Sequence, residues 1–190
     1  MSTRTGAAIL AREARELDWP RVLLAIVAAF AVGRILCDAG TAGLTAAVCA
    51  IGFISSQLSL TREFGVPLVY FAAPLGSREL SAALAVAPAL ACSFIGLAFA
   101  AGASTRTALD PSVLLAAAEA AVCCALIMQS ARLRTGSART AYRTIALAAA
   151  AGIAAASLLG FAWAGPAMAL PCLGFALRGF SETLRRYDPA

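Results

Sequence analysis

An all-α polytopic membrane protein is the fold class this sequence predicts, and three observations carry it. Of 190 residues, 61% are hydrophobic and only 13% are charged, with a mean hydropathy of +0.84. Water cannot solvate that balance as a soluble domain. Apolar runs of about 18 residues or more recur, each long enough to cross a hydrocarbon core about 30 Å thick as a helix. Arginines rather than lysines punctuate those runs. With no water in the core, each segment must satisfy its own backbone, and Ala- and Leu-rich runs do so as helices. The short alternating strands of a membrane β-barrel do not occur in the pattern.

Residues 1–20 read as an amphipathic interfacial helix. Leu10, Ala14 and Leu17 fall at i, i+4 and i+7 on one face, while Arg12, Glu13, Arg15 and Glu16 are expected to cover the others. Pro20 then breaks the run. Met1 to Trp19 holds no continuous apolar stretch followed by a small-residue cleavage site, so a cleavable signal is not expected.

Six spans follow, at about 22–37, 43–60, 80–102, 112–131, 144–163 and 166–181. They make a transmembrane domain over 21–181, with a cytosolic tail at 182–190. The last two are tight. Between Arg143 and Arg178 lie 34 residues without a charge, interrupted by Gly160, Gly165-Pro166 and Pro171. Two readings fit that stretch: an ordinary hairpin with a tight turn, in which Arg178 snorkels to the interface and the last helix runs on through Phe180, or a shortened re-entrant hairpin. Trp163 suits an outer aromatic belt in either case.

Charge sets the orientation. With the N-terminus in the cytosol, thirteen of the fifteen arginines fall on the inner side, only Arg106 falls in an outer loop, and Arg34 lies within the first span. Both termini are therefore expected to be cytosolic. The net charge of +5 is a topology signal, and no basic patch with interleaved aromatics points to nucleic acid.

Missing residue types exclude several chemistries. There is no lysine, so the chain cannot carry a Walker A phosphate loop, and no histidine for acid–base catalysis, imidazole metal sites or haem ligation. Cys37, Cys49, Cys92, Cys123, Cys124 and Cys172 form no C-x-x-C motif and read as small apolar packing residues. No G-x-S-x-G nucleophile elbow occurs. A membrane enzyme is therefore the weakest class, and no metal or catalytic residue is assigned.

The most patterned polar stretch is the connector over 61–79. It reads R-E-x-G at Arg62, Glu63 and Gly65, then eight residues, then P-x-x-x-R-E-L through Pro74, Arg78 and Glu79 to Leu80. Gly65 permits a turn, Pro74 stops a short segment, Ser77 can cap the next helix and Glu79 suits its first turn. The middle, Val66 to Phe71, is apolar enough for an interface or for a groove on another protein. A plain interfacial loop would share these features.

This pattern resembles the cytosolic connector after the second span of ABC-2 type transporter permeases, where a short helix couples the permease to its ATPase. Arg62, Glu63, Gly65, Pro74, Arg78 and Glu79 stand where that family's pattern expects them, whereas Val66, Pro67 and Leu68 replace the more polar residues usual after the glycine. The resemblance implies a six-span half-transporter of a bacterial cytoplasmic membrane. It would pair with a second permease, identical or homologous, and with separate ATP-binding cassette subunits that carry the ATP and Mg. Export is the commoner direction in that family, whose substrates range from lipids, polysaccharides and peptides to the haem exporter B-like branch. A second class of function is open to the residues themselves: a non-catalytic scaffold subunit of a larger membrane complex.

Two charges fall inside spans, Arg34 and Glu119, and are functional candidates because charge in hydrocarbon is costly. They are expected to partner each other if the first and fourth spans are neighbours. The arginine distribution predicts that a cysteine-labelling or reporter scan places residues 61–79 and 132–143 in the cytosol, and 38–42 and 103–111 outside. External labelling of position 136 in intact cells would overturn the orientation.

Overall fold

A computed structural model describes residues 2–58, 77–106, 108–133, 136–159, 161 and 163–185. Among them are seven helices and no strand: α1 (Ser2–Glu16), α2 (Trp19–Ile35), α3 (Thr41–Leu58), α4 (Ser77–Ser104), α5 (Pro111–Arg132), α6 (Gly136–Ser157) and α7 (Ala164–Arg185). The all-α expectation holds, and each expected span coincides with a helix. Among the described residues two helices are long and apolar enough to cross a membrane, Ala82–Ser104 and Pro111–Ala131, with mean hydropathies of 2.1 and 2.0. The apolar part of α3, Thr41–Gln57, is shorter.

Local chemistry sets the helix ends. Pro20 sits in the first turn of α2, where a missing N–H costs nothing, and the chain breaks before it at Asp18. Asp18 makes no cap bond and instead pairs through Oδ2 with the Arg21 Nε at 3.0 Å. Asp110 is a regular N-cap, accepting the Ser112 N–H at 2.8 Å ahead of Pro111. That backbone hydrogen bond holds its carboxyl below the usual carboxylate range.

The helix α5 is the axis of the bundle. Four helices pack on it, and these form an incomplete ring: α4 touches α3, α3 touches α6, α6 touches α7, and α7 returns only weakly to α4. Ala116, Ala117, Ala120, Ala121, Cys123 and Cys124 on α5 are fully buried. Their small size lets the neighbouring backbones approach closely. A Cβ added at Gly52 of α3 would stand 3.3 Å from the Ala121 backbone, and one at Gly96 of α4 would stand 3.2 Å from the Ala117 carbonyl oxygen.

Outside the ring, α2 lies along α4. Ala25, Ala29 and Gly33 recur every four residues, giving α2 a stripe with almost no side chain. The approach is reciprocal: a Cβ at Gly33 would collide with the carbonyl oxygen of Phe99, and one at Gly102 with that of Phe30. Such contact is close enough for Cα–H···O attraction between backbones.

Polar residues fit the same plan. Ser55, Ser56, Ser93, Ser130 and Thr45 donate to carbonyls three or four residues back on their own helices. Between helices, Gln57 Nε2 donates to the Met128 sulfur at 3.1 Å, and Tyr142 and Thr183 hydroxyls meet at 3.4 Å.

The N-terminal helix departs from one expectation. Its apolar face is covered by the bundle: Leu17, with Leu10 and Ala14 beside it, packs with Val22, Ala87 and Ala91, while Ile9 joins Leu80 and Leu84. Glu13, expected on a polar face, is 1% exposed. The reason is register, because residue 13 is four from both Ile9 and Leu17 and so lies on the stripe itself.

Helices α6 and α7 each have 22 residues, about 33 Å apiece, and pack against each other. The length comes from α6 starting at Gly136 and α7 continuing to Arg185, which takes residues 182–185 of the expected tail into the helix.

Glycine substitutions test the α2–α4 contact. Gly33→Ala or Gly102→Ala is expected to lower unfolding free energy by more than about 2 kcal/mol, since backbone must move. Gly152→Ala and Gly174→Ala, with open space around the added methyl, should be neutral or stabilise by up to about 1 kcal/mol through helix propensity. Thermal unfolding of the four variants in one detergent checks both.

Candidate functional site

Because α7 returns only weakly to α4, one face of α5 is left uncovered. Pro111, Leu114 and Leu115 on that face are exposed, and Ala118, Glu119 and Val122 are half-buried. These positions recur at helical spacing and form the floor of a slot between α4 and α7. Large side chains are exposed on both neighbouring helices: Leu90 and Phe94 of α4 are 52% and 59% exposed, and Phe175 of α7 is 77% exposed. Elsewhere on the ring, neighbouring helices close over α5.

Glu119 is the single acid on the floor. It stands nine residues from the Asp110 cap, about 14 Å along the helix, well inside the apolar stretch Pro111–Ala131. Its Oε2 is buried without a hydrogen-bond partner. Arg34 lies elsewhere. It is exposed in the last turn of α2, where a cation complements the helix dipole. Helix α2 packs chiefly on α4, which stands between it and α5. Among the described residues no ion pair joins Arg34 to Glu119, so the expected partnership is not formed.

At the end where α7 finishes, the slot deepens into a groove of about 500 Å³. Ala82 and Ala85 of α4, Leu126 of α5 and Phe180 of α7 line its apolar part, and Arg178, Ser181, Glu182 and Arg185 form its polar rim. Arg178 Nε donates to Glu182 Oε1 at 3.0 Å. Sequence alone points to Arg178 as a snorkelling residue and does not single out the rest of this rim. The spacing of residues 178, 182 and 185, at i, i+4 and i+7, was the signal that one face of α7 gathers charge.

A smaller crevice of about 160 Å³ lies between α2 and α3, lined by Ala28, Val32, Ile51 and Ile54 among others. Almost no polar surface reaches it. Among the described residues no group of His, Cys, Asp or Glu could hold a metal ion. Five of the six thiols are buried, with Cys172 half-buried, and none forms a disulfide.

Of the connector, Arg62, Glu63, Gly65 and Pro74 lie outside the described residues. Arg78 and Glu79 belong to the first turn of α4, where Glu79 is exposed and its charge suits the helix N-terminus. Comparison of the chain with protein-family models, curated proteins and solved structures returns no match.

The unpartnered carboxyl of Glu119 has a measurable consequence. Removing a buried, unsatisfied oxygen relieves a cost of about 1–3 kcal/mol, and the lower end applies to a half-buried residue. Glu119→Leu is therefore expected to raise stability in detergent by about 1 kcal/mol, with Arg34→Ala neutral and the double variant additive. Non-additive losses would show that the two charges do meet.

Proposed function

We propose that this chain is a six-span permease subunit of an ATP-driven ABC-type transporter of the ABC-2 class, with both termini in the cytosol. The observation that carries the reading is the connector pattern from Arg62 to Leu80, which falls between the second and third of six apolar helices, after Leu58 and into the first turn of α4.

The surface supports the membrane part. Large apolar side chains are exposed along α2, α4, α6 and α7, including Leu24, Val27, Leu90, Leu147 and Leu170, and such a surface is stable only in an apolar solvent. Helices α2 and α3, of 17 and 18 residues, are about 26 and 27 Å long and cross a hydrocarbon layer at its thinner limit. In this topology the Asp110 cap faces outward and the Arg178 groove faces the cytosol.

Mechanically, the connector transmits motion of a separate ATPase to α3 and α4. Since α4 also carries α1 and α2, displacement of its N-terminal end moves three helices together against α5. The slot over α5 then changes width, with Glu119 inside it. A polar contact there, to substrate or to the second permease, gives a reason to keep a carboxyl that costs stability.

Copurification tests the reading. Expressed with an ATPase encoded beside it, the chain should capture that protein. Glu63→Ala or Arg78→Glu should weaken capture about fivefold, the size of an exposed charge contact, while leaving membrane insertion intact. Capture of no nucleotide-binding protein would hand the chain to the scaffold class.

A further inference from the structure

We propose that the uncovered face of α5 is a binding site for a primary ammonium group on an apolar body, with the Glu119 carboxylate as its counter-ion. The proposal rests on the membrane-spanning half of the functional reading, names the kind of substrate that it leaves open, and is independent of any ATPase.

Glu119 lacks two things at once, a donor and a counter-charge. Its Oε2 is buried and accepts no hydrogen bond among the described residues, and a carboxylate has no proton of its own to give. Nor does it belong to any of the ion pairs formed there, Arg12–Glu16, Arg21–Asp18 and Arg178–Glu182. An ammonium group supplies both a positive charge and N–H donors. A quaternary ammonium supplies only the charge, and an alcohol only the donor.

The surroundings say what the ammonium is attached to. Pro111, Leu114 and Leu115 are exposed on the same face and Ala118 and Val122 are half-buried, so Glu119 is its one polar side chain. The face is open because α4 and α7, which flank it, meet only weakly. Within α5, which has 22 residues from Pro111, Glu119 stands about 12 Å from the first. A small hydrated ion reaches that depth only by shedding its water, whereas an amphiphile arrives with its apolar body already in hydrocarbon.

The chain does not provide this group itself. It contains no lysine, and a second copy aligned in the same membrane brings none of the helix arginines to this depth. Gly96 faces Ala117 and Gly102 faces Arg34, which puts Arg34 about 12 Å nearer the Asp110 end than Glu119. Arg143 and Arg178 lie towards the other end, since Ala146 meets Cys124 and Arg178 shares a groove with Leu126.

Titration of a dansyl-labelled long-chain primary amine onto the purified full chain in nonionic detergent, read by fluorescence anisotropy against protein-free micelles, tests the assignment. The amine should bind about tenfold more tightly than its trimethylammonium analogue or the matching alcohol, the worth of one charge-assisted hydrogen bond. Glu119→Gln, of nearly the same shape without the charge, should remove that preference. Ala118→Phe should weaken binding of all three probes with every charge unchanged, and both variants must elute as the parent does on gel filtration. On the parent chain, dicyclohexylcarbodiimide, which adds a carboxyl O–H across its C=N bond and rearranges to an N-acylurea with no atom lost, should label Glu119. The amine should slow that labelling about tenfold, in line with its affinity advantage. Equal binding of the three probes overturns the proposal, as does a preference that survives in correctly eluting Glu119→Gln. Labelling that the amine leaves unchanged also overturns it, since the carboxyl would then hold only a proton. The probe comparison and the protection both use the parent chain, so they decide even where a variant fails to fold. Amine binding without a captured ATPase would remove only the transporter reading, whereas a captured ATPase without amine preference would remove only this site.

Discussion

Close approach of helix backbones is the constraint on which the rest of this bundle depends. Packing at such close range draws on dispersion and on weak Cα–H···O contacts, both of which fall off steeply with distance. Alanine on α5 and glycine on its partners bring the chains near enough. Where Gly33 faces Phe99 and Gly102 faces Phe30, a single methyl group exceeds the space between α2 and α4.

That intimacy on one side dictates openness on another. Four helices held tightly against the small-residue faces of α5 do not close around it, and the remaining face becomes the slot between α4 and α7. Phe94 and Phe175 are too large for the tight faces and project outward. Glu119 occupies the border of that opening, half-buried, with one oxygen out of reach of any donor. Buried hydroxyl groups behave differently. Ser55, Ser93 and Ser130 turn back to their own helix carbonyls and so need no neighbour. A carboxylate cannot do this, because backbone carbonyls accept and a carboxylate only accepts.

Helix α4 has 28 residues, about 42 Å, and α1 packs along it. Pro88 lies within it and is buried, so the residue four before it lacks one intrahelical bond. The α1 contact, the first turn with Arg78 and Glu79, and the α2 contact thus all belong to one long helix.

Composition and spacing by themselves determined the helical class, the number and approximate limits of the helices, and the break at Pro20. These rest on local properties: the length of an apolar run and the absence of an N–H. The tertiary structure alone decided that α5 is central, that α4 separates Arg34 from Glu119, that Glu13 is buried and that Arg178 shares a groove with Ala82. An alanine-rich helix presents similar small residues on every face, so periodicity does not say which face meets which neighbour. That choice is made by backbone approach at particular residues, Gly33 and Gly102 above all, and by which side of α5 the ring leaves open.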